Sequence, residues 1–139
     1  MASSPRLRGQ LALILATPAP EEGCALLVGE RSPGERVWRL SGLWPCLNVW
    51  PQEDQRLRRF AIDPREQLLA QRWCRARGLA VLGHAHSHPE GAPEPSATDR
   101  RLCVTPDLML IQGACGKQRL WWLADSDSVP RRLPWRMEA

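Results

Sequence analysis

Residues 86–99 read HSHPEGAPEPSATD, and this stretch indicates both a fold and a chemistry. If residues 85–88 end a strand, the alternation of side chains places His86 and His88 on one face. The ten residues that follow are rich in proline and small side chains, and a loop of this composition can return Asp99 to the same point. Two imidazole nitrogens and one carboxylate oxygen form the donor set of a catalytic zinc site, which keeps a fourth position for water. A structural zinc site would usually include thiolates, and the stretch contains no Cys.

The clustering of histidines supports this interpretation. His84, His86 and His88 are the only histidines of the chain, and they fall within five consecutive positions. An isolated H-x-H pair usually marks two unrelated surface or packed residues, but a random scatter would rarely place every histidine together. Strand alternation puts His84 on the same face, where it could contact a ligand, face the substrate or only fill space. We favour the last, because three ligands already complete the expected site.

The same stretch resembles the signature of the JAMM (MPN+) zinc metalloproteases, H-x-H-x(10)-D with a Ser three residues before the Asp, here Ser96. Members of that family also need a distant glutamate, in a segment like P-x-E-x-C-G-L-L-x-G. Residues 20–29 read PEEGCALLVG and place Glu22 at that position, since the spacing to Cys24 favours it over the neighbouring Glu21. Residues 59–64, RFAIDP, resemble a segment that precedes the central helix in small prokaryotic members. The resemblance covers about residues 10–112.

The resemblance implies an α/β protein with the JAMM, cytidine-deaminase-like fold: a curved mixed β-sheet flanked by helices in a single domain of residues 1–139. It implies Zn²⁺ bound by His86, His88 and Asp99, holding a water whose pKa falls toward about 7. Glu22 would accept the proton of that water and pass it to the leaving amine. Ser96 would donate a hydrogen bond to the oxyanion. From the residues alone, Glu22 is equally a solvated carboxylate, and Ser96 is a helix cap, a role compatible with the catalytic one.

The function implied is that of a zinc-dependent peptidase or isopeptidase. The short chain resembles minimal prokaryotic members that hydrolyse an amide bond at or after the C-terminal tail of a ubiquitin-like sulfur-carrier protein. Two alternatives stay open. One is a non-catalytic MPN scaffold that binds a protein partner, although such proteins typically lose ligands that are all present here. The other is a zinc hydrolase that acts on a small amide.

The length, the net charge and the distribution of basic residues bear on which kinds of molecule the protein binds. A length of 139 residues predicts one domain, and the formal charge of +4 suggests nucleic acid at first sight. Every one of the nineteen basic residues except Lys117 is Arg, and they are dispersed rather than arranged in a stripe with stacking aromatics. We therefore expect no nucleic-acid binding, and a basic face could instead recruit an acidic protein substrate. Trp121 and Trp122 have apolar neighbours in the sequence, which favours packing in the core over stacking on bases.

The five cysteines are odd in number and lack a C-x-x-C pair, which suits reduced, mostly buried thiols in a cytoplasmic protein. Cys24 is a possible nucleophile, but packing is the better interpretation. The longest apolar run, residues 11–16, is too short to span a bilayer, and residues 1–16 only weakly imitate a signal peptide. We expect no membrane association. The oligomeric state is left open.

Periodicity and turn residues predict the remaining elements. Residues 7–17 form a helix or a strand, and residues 25–29 and 37–43 form strands joined by a turn at 32–34. Residues 44–59 form a loop. A helix begins with Asp63 as cap, Pro64 at its first position and Glu66 three residues after the cap, and it ends at Gly78. A strand over 79–85 delivers the histidines, and Ser96 caps a short helix over 99–103. A hairpin joins 108–112 to 119–124, and a last strand covers 131–136.

Overall fold

The computed structural model describes residues 1–32 and 38–138. It contains three α-helices, one 3₁₀ helix (Glu53–Leu57) and eight strands. The helices are α1 (Pro5–Ala16), α2 (Pro64–Arg75) and α3 (Ala97–Leu102). The strands are β1 (Ala2–Ser3), β2 (Cys24–Arg31), β3 (Trp38–Cys46), β4 (Ala80–Ser87), β5 (Asp107–Gln112), β6 (Gln118–Leu123), β7 (Arg131–Leu133) and β8 (Arg136–Met137).

All eight strands belong to one mixed sheet, in the order β7-β6-β5-β4-β2-β3-β1-β8. The β4–β5, β1–β3 and β1–β8 pairs are parallel, and the other neighbours are antiparallel. Strands β7 and β8 lie at opposite edges, yet only Pro134 and Trp135 separate them in the chain. Because consecutive Cα atoms are about 3.8 Å apart, the two edges approach within about 11 Å. The sheet is therefore strongly curled, as the expected fold requires.

Helix α1 covers the concave side of the central strands and builds the main core. Its fully buried residues, Leu11 and Leu15, are one helical turn apart. The segment predicted as either a helix or a strand is therefore a helix. Ser4 caps the helix by accepting a hydrogen bond from the Leu7 amide at 3.3 Å. The sheet side of this core is formed by Ala25, Leu27, Leu40, Leu82, Ala85, Leu108, Leu110 and Leu120.

The opposite face of the sheet carries a smaller cluster of Met109, Ile111 and Leu123, together with α2 and α3. Helix α2 begins as predicted, with Asp63 accepting a hydrogen bond from the Arg65 amide at 2.9 Å. Glu66 does not close a capping box there, because its carboxylate accepts a hydrogen bond from Trp44 Nε1 at 2.8 Å instead. Most of the apolar side chains of α2 are exposed, so the helix is held over the sheet mainly by Ala70 and Cys74.

Several element boundaries differ from the predictions. Residues 44–46 continue β3, and residues 53–57 are helical, so the predicted loop over 44–59 is shorter than expected. The last predicted strand is split into β7 and β8, which pair with different partners. The short strand β1, between β3 and β8, was not predicted, because two residues are too few for an alternating pattern to show. The turn predicted at 32–34 and the start of the next strand at Val37 lie mostly outside the described residues.

Candidate metal centre

Three side chains from residues 86–99 converge on one point. His86 lies on β4, His88 directly follows that strand, and Asp99 lies in the first turn of α3. His86 Nε2 is 3.1 Å from both His88 Nε2 and Asp99 Oδ2, and His88 Nε2 is 3.1 Å from the same Asp99 oxygen. The three sequence-predicted metal ligands are thus brought together, with His86 fully buried and Asp99 nearly so.

This arrangement fits a tetrahedral divalent ion. Ligand atoms bound to zinc at about 2.0–2.1 Å in tetrahedral geometry lie about 3.3–3.4 Å from one another, close to the spacing of these three atoms. Two imidazole nitrogens and a carboxylate leave one position for a non-protein ligand, as catalytic zinc sites do. Within residues 1–32 and 38–138, no other trio of His, Cys, Asp or Glu side chains converges in this way.

The imidazole of His88 is oriented by its second ring nitrogen. His88 Nδ1 donates a hydrogen bond to the Ala92 carbonyl oxygen at 2.8 Å, which leaves the lone pair of Nε2 directed at the site. The backbone amide of His88 also donates to the Gln112 carbonyl oxygen at 2.8 Å. The chain around His88 is therefore held on both sides.

The imidazole of His86 is held by stacking. The Phe60 ring lies parallel to it, with ring centroids 4.3 Å apart and an interplanar angle of 21°. The ring of His84, two residues earlier on β4, also stacks on His86, with ring centroids 5.6 Å apart. An apolar ring against His86 excludes water from that side of the site.

Burial and mutual contacts set the protonation of the three groups. Burial lowers the pKa of His86 to about 4, so this imidazole is neutral at neutral pH and can ligate a cation. Burial acts against the charge on Asp99, but its close contacts with both imidazoles and the hydrogen bond from the Ser96 amide outweigh burial and hold the pKa of that carboxyl well below its usual range. For His88, burial is outweighed by contacts with Asp99 and the Ala92 carbonyl, which raise its pKa.

Asp99 takes part in the helix cap as well as the site. The Ser96 hydroxyl oxygen accepts a hydrogen bond from the Asp99 amide at 3.0 Å, and the Ser96 amide donates to Asp99 Oδ2 at 2.9 Å. This is a reciprocal capping box, with Asp in the place of the usual Glu. The predicted cap role of Ser96 is confirmed. Its predicted role at the oxyanion stays a prediction. The hydroxyl proton is available for that role, because the cap uses only the hydroxyl oxygen.

Glu22 lies beside the three ligands although it is 64 residues before His86 in the sequence. Its side chain is buried, and Oε1 is 3.9 Å from His88 Nε2. Burial raises the pKa of Glu22 to about 8; the proximity of His88 opposes this rise and that of Asp99 adds to it. Glu21 instead lines a separate groove with Pro18, Pro45 and Leu47. The structure thus brings Glu22, not its neighbour, to the site.

Two residues that sequence reasoning did not assign to the site hold it together. The Ser87 hydroxyl, between the two histidines, accepts a hydrogen bond from the Gly23 amide at 2.8 Å, and the Ser87 amide donates to the Gly23 carbonyl at 3.0 Å. A Cβ on Gly23 would collide with the Leu15 carbonyl, so the chain next to Glu22 fits only without a side chain there. Phe60 is the second, and the RFAIDP resemblance was its only sequence signal.

His84 does not join the ligand set. Its Nδ1 lies 3.1 Å from Asp107 Oδ2, on the side of the His86 ring away from Glu22. His84 also lines a cavity of about 260 Å³ with Phe60, Asp99 and Met109. His84 therefore packs beside the candidate ligands and contacts Asp107 instead of joining them. Glu90 and Glu94, in the loop before Asp99, are exposed.

Comparison with known proteins finds one matching family and several similar structures. The family of prokaryotic homologues of the JAB domain matches residues 4–124. The chain is similar to the solution structure of a protein from Desulfitobacterium hafniense, with 27% identity, a TM-score of 0.83 and coverage of 99% of this chain and 92% of that one. A solution structure from Salinibacter ruber gives 27% identity, a TM-score of 0.74 and the same coverages.

A more distant likeness links the fold to a described domain. The crystal structure of a JAB1/MPN domain protein from Archaeoglobus fulgidus is 15% identical, with a TM-score of 0.61, and the match covers 100% of this chain and 97% of that one. At this identity the likeness supports the fold alone. No curated protein matches the chain significantly. None of the described helices is long and apolar enough to cross a bilayer.

Proposed function

Because the chain belongs to the family of prokaryotic homologues of the JAB domain, we propose that it is a metal-dependent peptidase whose ion is zinc. The observation that carries the proposal is the convergence of His86, His88 and Asp99 at mutual distances of 3.1 Å, with a buried carboxylate beside them. Structural likeness alone would not distinguish an enzyme from a binding protein of the same fold. The intact ligand set and the placement of Glu22 favour the enzyme.

His86, His88 and Asp99 would hold the zinc ion, which would supply Lewis-acid chemistry by acidifying a water and polarising a carbonyl oxygen. Glu22 moves the proton. Its carboxyl has a pKa of about 8 without a metal, and a nearby dication favours the ionised form, so the group can accept a proton from the attacking water near neutral pH. The same carboxyl then donates that proton to the amide nitrogen as the C–N bond breaks.

Ser96 and the aromatic neighbours have supporting roles. The Ser96 hydroxyl accepts from the Asp99 amide through its oxygen, and we propose that its proton is donated to the oxyanion that develops on the substrate carbonyl. Phe60 stacks on His86 and keeps water from that side of the ligand set. Asp99 stays ionised and retains its position through the Ser96 amide.

We further propose that the scissile amide lies at or after the C-terminal tail of a ubiquitin-like sulfur-carrier protein. This rests on the resemblance to small prokaryotic JAMM proteins and on a chain of 139 residues, which leaves no room for large substrate-selecting insertions. The five cysteines are free, which suits the reducing cytoplasm where we place the protein. A non-catalytic protein-binding scaffold and a hydrolase of small amides are the competing functions.

Metal analysis combined with a cleavage assay separates these functions. The purified protein is loaded with zinc, freed of excess ion, and incubated with a ubiquitin-like carrier whose tail is extended by one residue and with an unrelated amide. We expect about one zinc per chain and cleavage of the carrier tail that stops in Glu22→Gln. Zinc without cleavage of either substrate would favour the scaffold, and cleavage of the small amide alone would favour the third function.

A further inference from the structure

Asn48, just after β3, makes four hydrogen bonds through its side-chain amide. Its Nδ2 donates to the carbonyl oxygens of Glu22 at 3.1 Å and of Arg59 at 2.9 Å. Its Oδ1 accepts from the backbone amides of Trp50 at 3.1 Å and of Ala61 at 3.2 Å. A primary amide offers two N–H groups and two lone pairs, so every hydrogen-bonding group of this side chain is used.

These bonds connect Asn48 to both segments that flank the ligand set from outside residues 86–99. Glu22 is 26 positions from Asn48 in the sequence, and Arg59 is 11 positions away. Arg59 and Ala61 flank Phe60, whose ring stacks on His86. One amide therefore fixes the backbone that carries the Glu22 carboxylate relative to the backbone that carries the aromatic support of a ligand.

The carboxylate of Glu22 depends on its backbone for its position. In the part of the chain that the structure describes, its buried Oε2 has no hydrogen-bond partner. The other oxygen contacts His88 Nε2 at 3.9 Å, which is longer than a hydrogen bond. The polar contacts that hold the residue are made by its main chain, through the Asn48 amide and through the Glu22 amide, which donates to the Arg56 carbonyl at 2.8 Å.

We infer that Asn48 is a positioning residue, which holds Glu22 at the distance where its carboxylate can exchange a proton at the reacting centre. The inference rests on the proposed function for its catalytic consequence, whereas its structural part is independent of any activity. Since a displacement of about 1 Å in a reacting group can cost roughly 100-fold in rate, loss of this amide reduces turnover without removing a ligand.

The test compares two substitutions at Asn48 with a matched control. Asn48→Asp keeps the size and the acceptor oxygen but replaces both N–H donors, so the bonds to Glu22 and Arg59 are lost. Asn48→Ala removes all four bonds. Gln55→Ala is the control, because Gln55 Oε1 accepts from Trp50 Nε1 at 2.9 Å and from the Arg59 guanidinium at 3.4 Å, in the same loop but without a bond to Glu22.

Two measurements are made on the full chain loaded with zinc. Amide hydrogen exchange reports on the Glu22 and Gly23 backbone, and steady-state hydrolysis gives kcat and KM. We expect both Asn48 variants to speed exchange at Glu22 by about tenfold, the equivalent of one lost hydrogen bond. We expect kcat to fall roughly 10- to 100-fold, with bound zinc and KM nearly unchanged. Gln55→Ala should leave the exchange at Glu22 and kcat close to those of the parent.

The inference is overturned if exchange at Glu22 is unchanged in Asn48→Asp, or if Gln55→Ala has the same effect. Faster exchange with unaltered kcat in an active parent would also overturn it, since the displaced backbone would then not matter to turnover. If the parent itself hydrolyses no substrate, the proposed function fails, and the exchange data alone decide whether Asn48 holds the Glu22 segment. A variant that does not fold is replaced by the other, whose lost bonds differ.

Discussion

The ligands and Glu22 are held in different ways. Residues 86–102 contain all three candidate ligands and several of the contacts that orient them, including the bond from His88 Nδ1 to the Ala92 carbonyl and the cap between Ser96 and Asp99. Glu22, by contrast, is held by residues from distant parts of the chain: its carbonyl oxygen accepts from the Asn48 side-chain amide, and its backbone amide donates to the Arg56 carbonyl oxygen. The ligand set is organised largely within one segment, whereas the proton-transfer group depends on tertiary structure.

Under the proposed function, this difference predicts that metal binding and hydrolysis can be separated by mutation. A change of a candidate ligand within residues 86–99 is expected to act on the ion first and on turnover as a consequence. A change around Glu22 is expected to act on turnover while the ion stays bound. Substitutions in the two regions therefore have distinct signatures in metal content, rate and stability.

The largest effect is expected from removing a ligand. Asp99→Ala should reduce bound zinc from about one ion per chain to almost none and abolish activity, since two imidazoles alone hold zinc weakly. Elemental analysis after dialysis measures this. Glu94→Ala is the control in the same loop, because that exposed carboxylate is solvated and should change neither quantity. Retention of stoichiometric zinc by Asp99→Ala would mean that another residue completes the ligand set.

The second largest effect is expected from replacing Glu22. Glu22→Gln should leave zinc bound but lower kcat by about 10²- to 10⁴-fold, the contribution of a positioned acid–base group. Glu21→Gln should have a mild effect, because Glu21 faces the groove lined by Pro45 and Leu47. Rates and zinc content measured on the same preparations make the comparison. The reverse pattern, with Glu21 essential, would show that the neighbouring carboxylate performs the chemistry.

Ser96→Ala tests a residue that caps helix α3 and is also proposed to stabilise the oxyanion. If its hydroxyl stabilises the oxyanion, turnover falls about 100- to 1000-fold. The lost helix cap costs only about 1 kcal/mol of unfolding free energy. Turnover and thermal unfolding are measured together on metal-loaded protein. Near-normal turnover with a lowered melting temperature would show that Ser96 acts only as a helix cap. Oxyanion stabilisation would then come from other groups.

At Gly23 the expected effect is on stability rather than on metal content. Gly23→Ala places a methyl group against the Leu15 carbonyl, and such overpacking typically costs about 1–3 kcal/mol. Gly42→Ala is the matched control, because a Cβ there meets Val28 only at 3.8 Å, an ordinary contact. Chemical denaturation measures both. Equal stability of the two variants would show that the chain around Glu22 shifts at little cost.

The last prediction concerns the pH dependence of stability in the metal-free protein. Burial raises the folded-state pKa of Glu22 to about 8 from the model-compound value of 4.5, so between these values the folded chain binds more protons than the unfolded chain. Its contribution to stability therefore falls as pH rises, by at most about 1.4 kcal/mol per pH unit. Denaturation in chelator from pH 5 to 8 should show a decline that is shallower in Glu22→Gln. Identical slopes would place the Glu22 pKa near its ordinary value.

The sequence predicts best what is encoded locally. The helix from Pro64, the hairpin through β5 and β6, and the cap at Ser96 follow from turn residues, caps and periodicity within a few positions. The ligand set is also local, since thirteen positions separate His86 from Asp99. These features require no knowledge of how distant segments meet, because the signals lie within single elements.

Contacts between distant segments could not be predicted in this way. Nothing near Asn48 indicates that its amide reaches both Glu22 and Arg59, because those bonds exist only once β3 and the following loop are folded. The stacking of Phe60 on His86 and the bond between Ser87 and Gly23 are of the same kind. The resemblance placed Glu22 at the site, whereas the residues alone left a solvated carboxylate as good an interpretation as a functional one.

The bond from the Ser96 amide to Asp99 Oδ2 has an evolutionary consequence. Because the oxygen that faces the ligand set also completes a helix cap, a folded α3 preserves this carboxylate whether or not the protein turns over substrate. A descendant in which Glu22 or its backbone supports have changed can therefore keep Asp99 under selection for folding alone. Among relatives, the aspartate of the H-x-H-x(10)-D motif by itself then says less about activity than the two histidines and the surroundings of the glutamate.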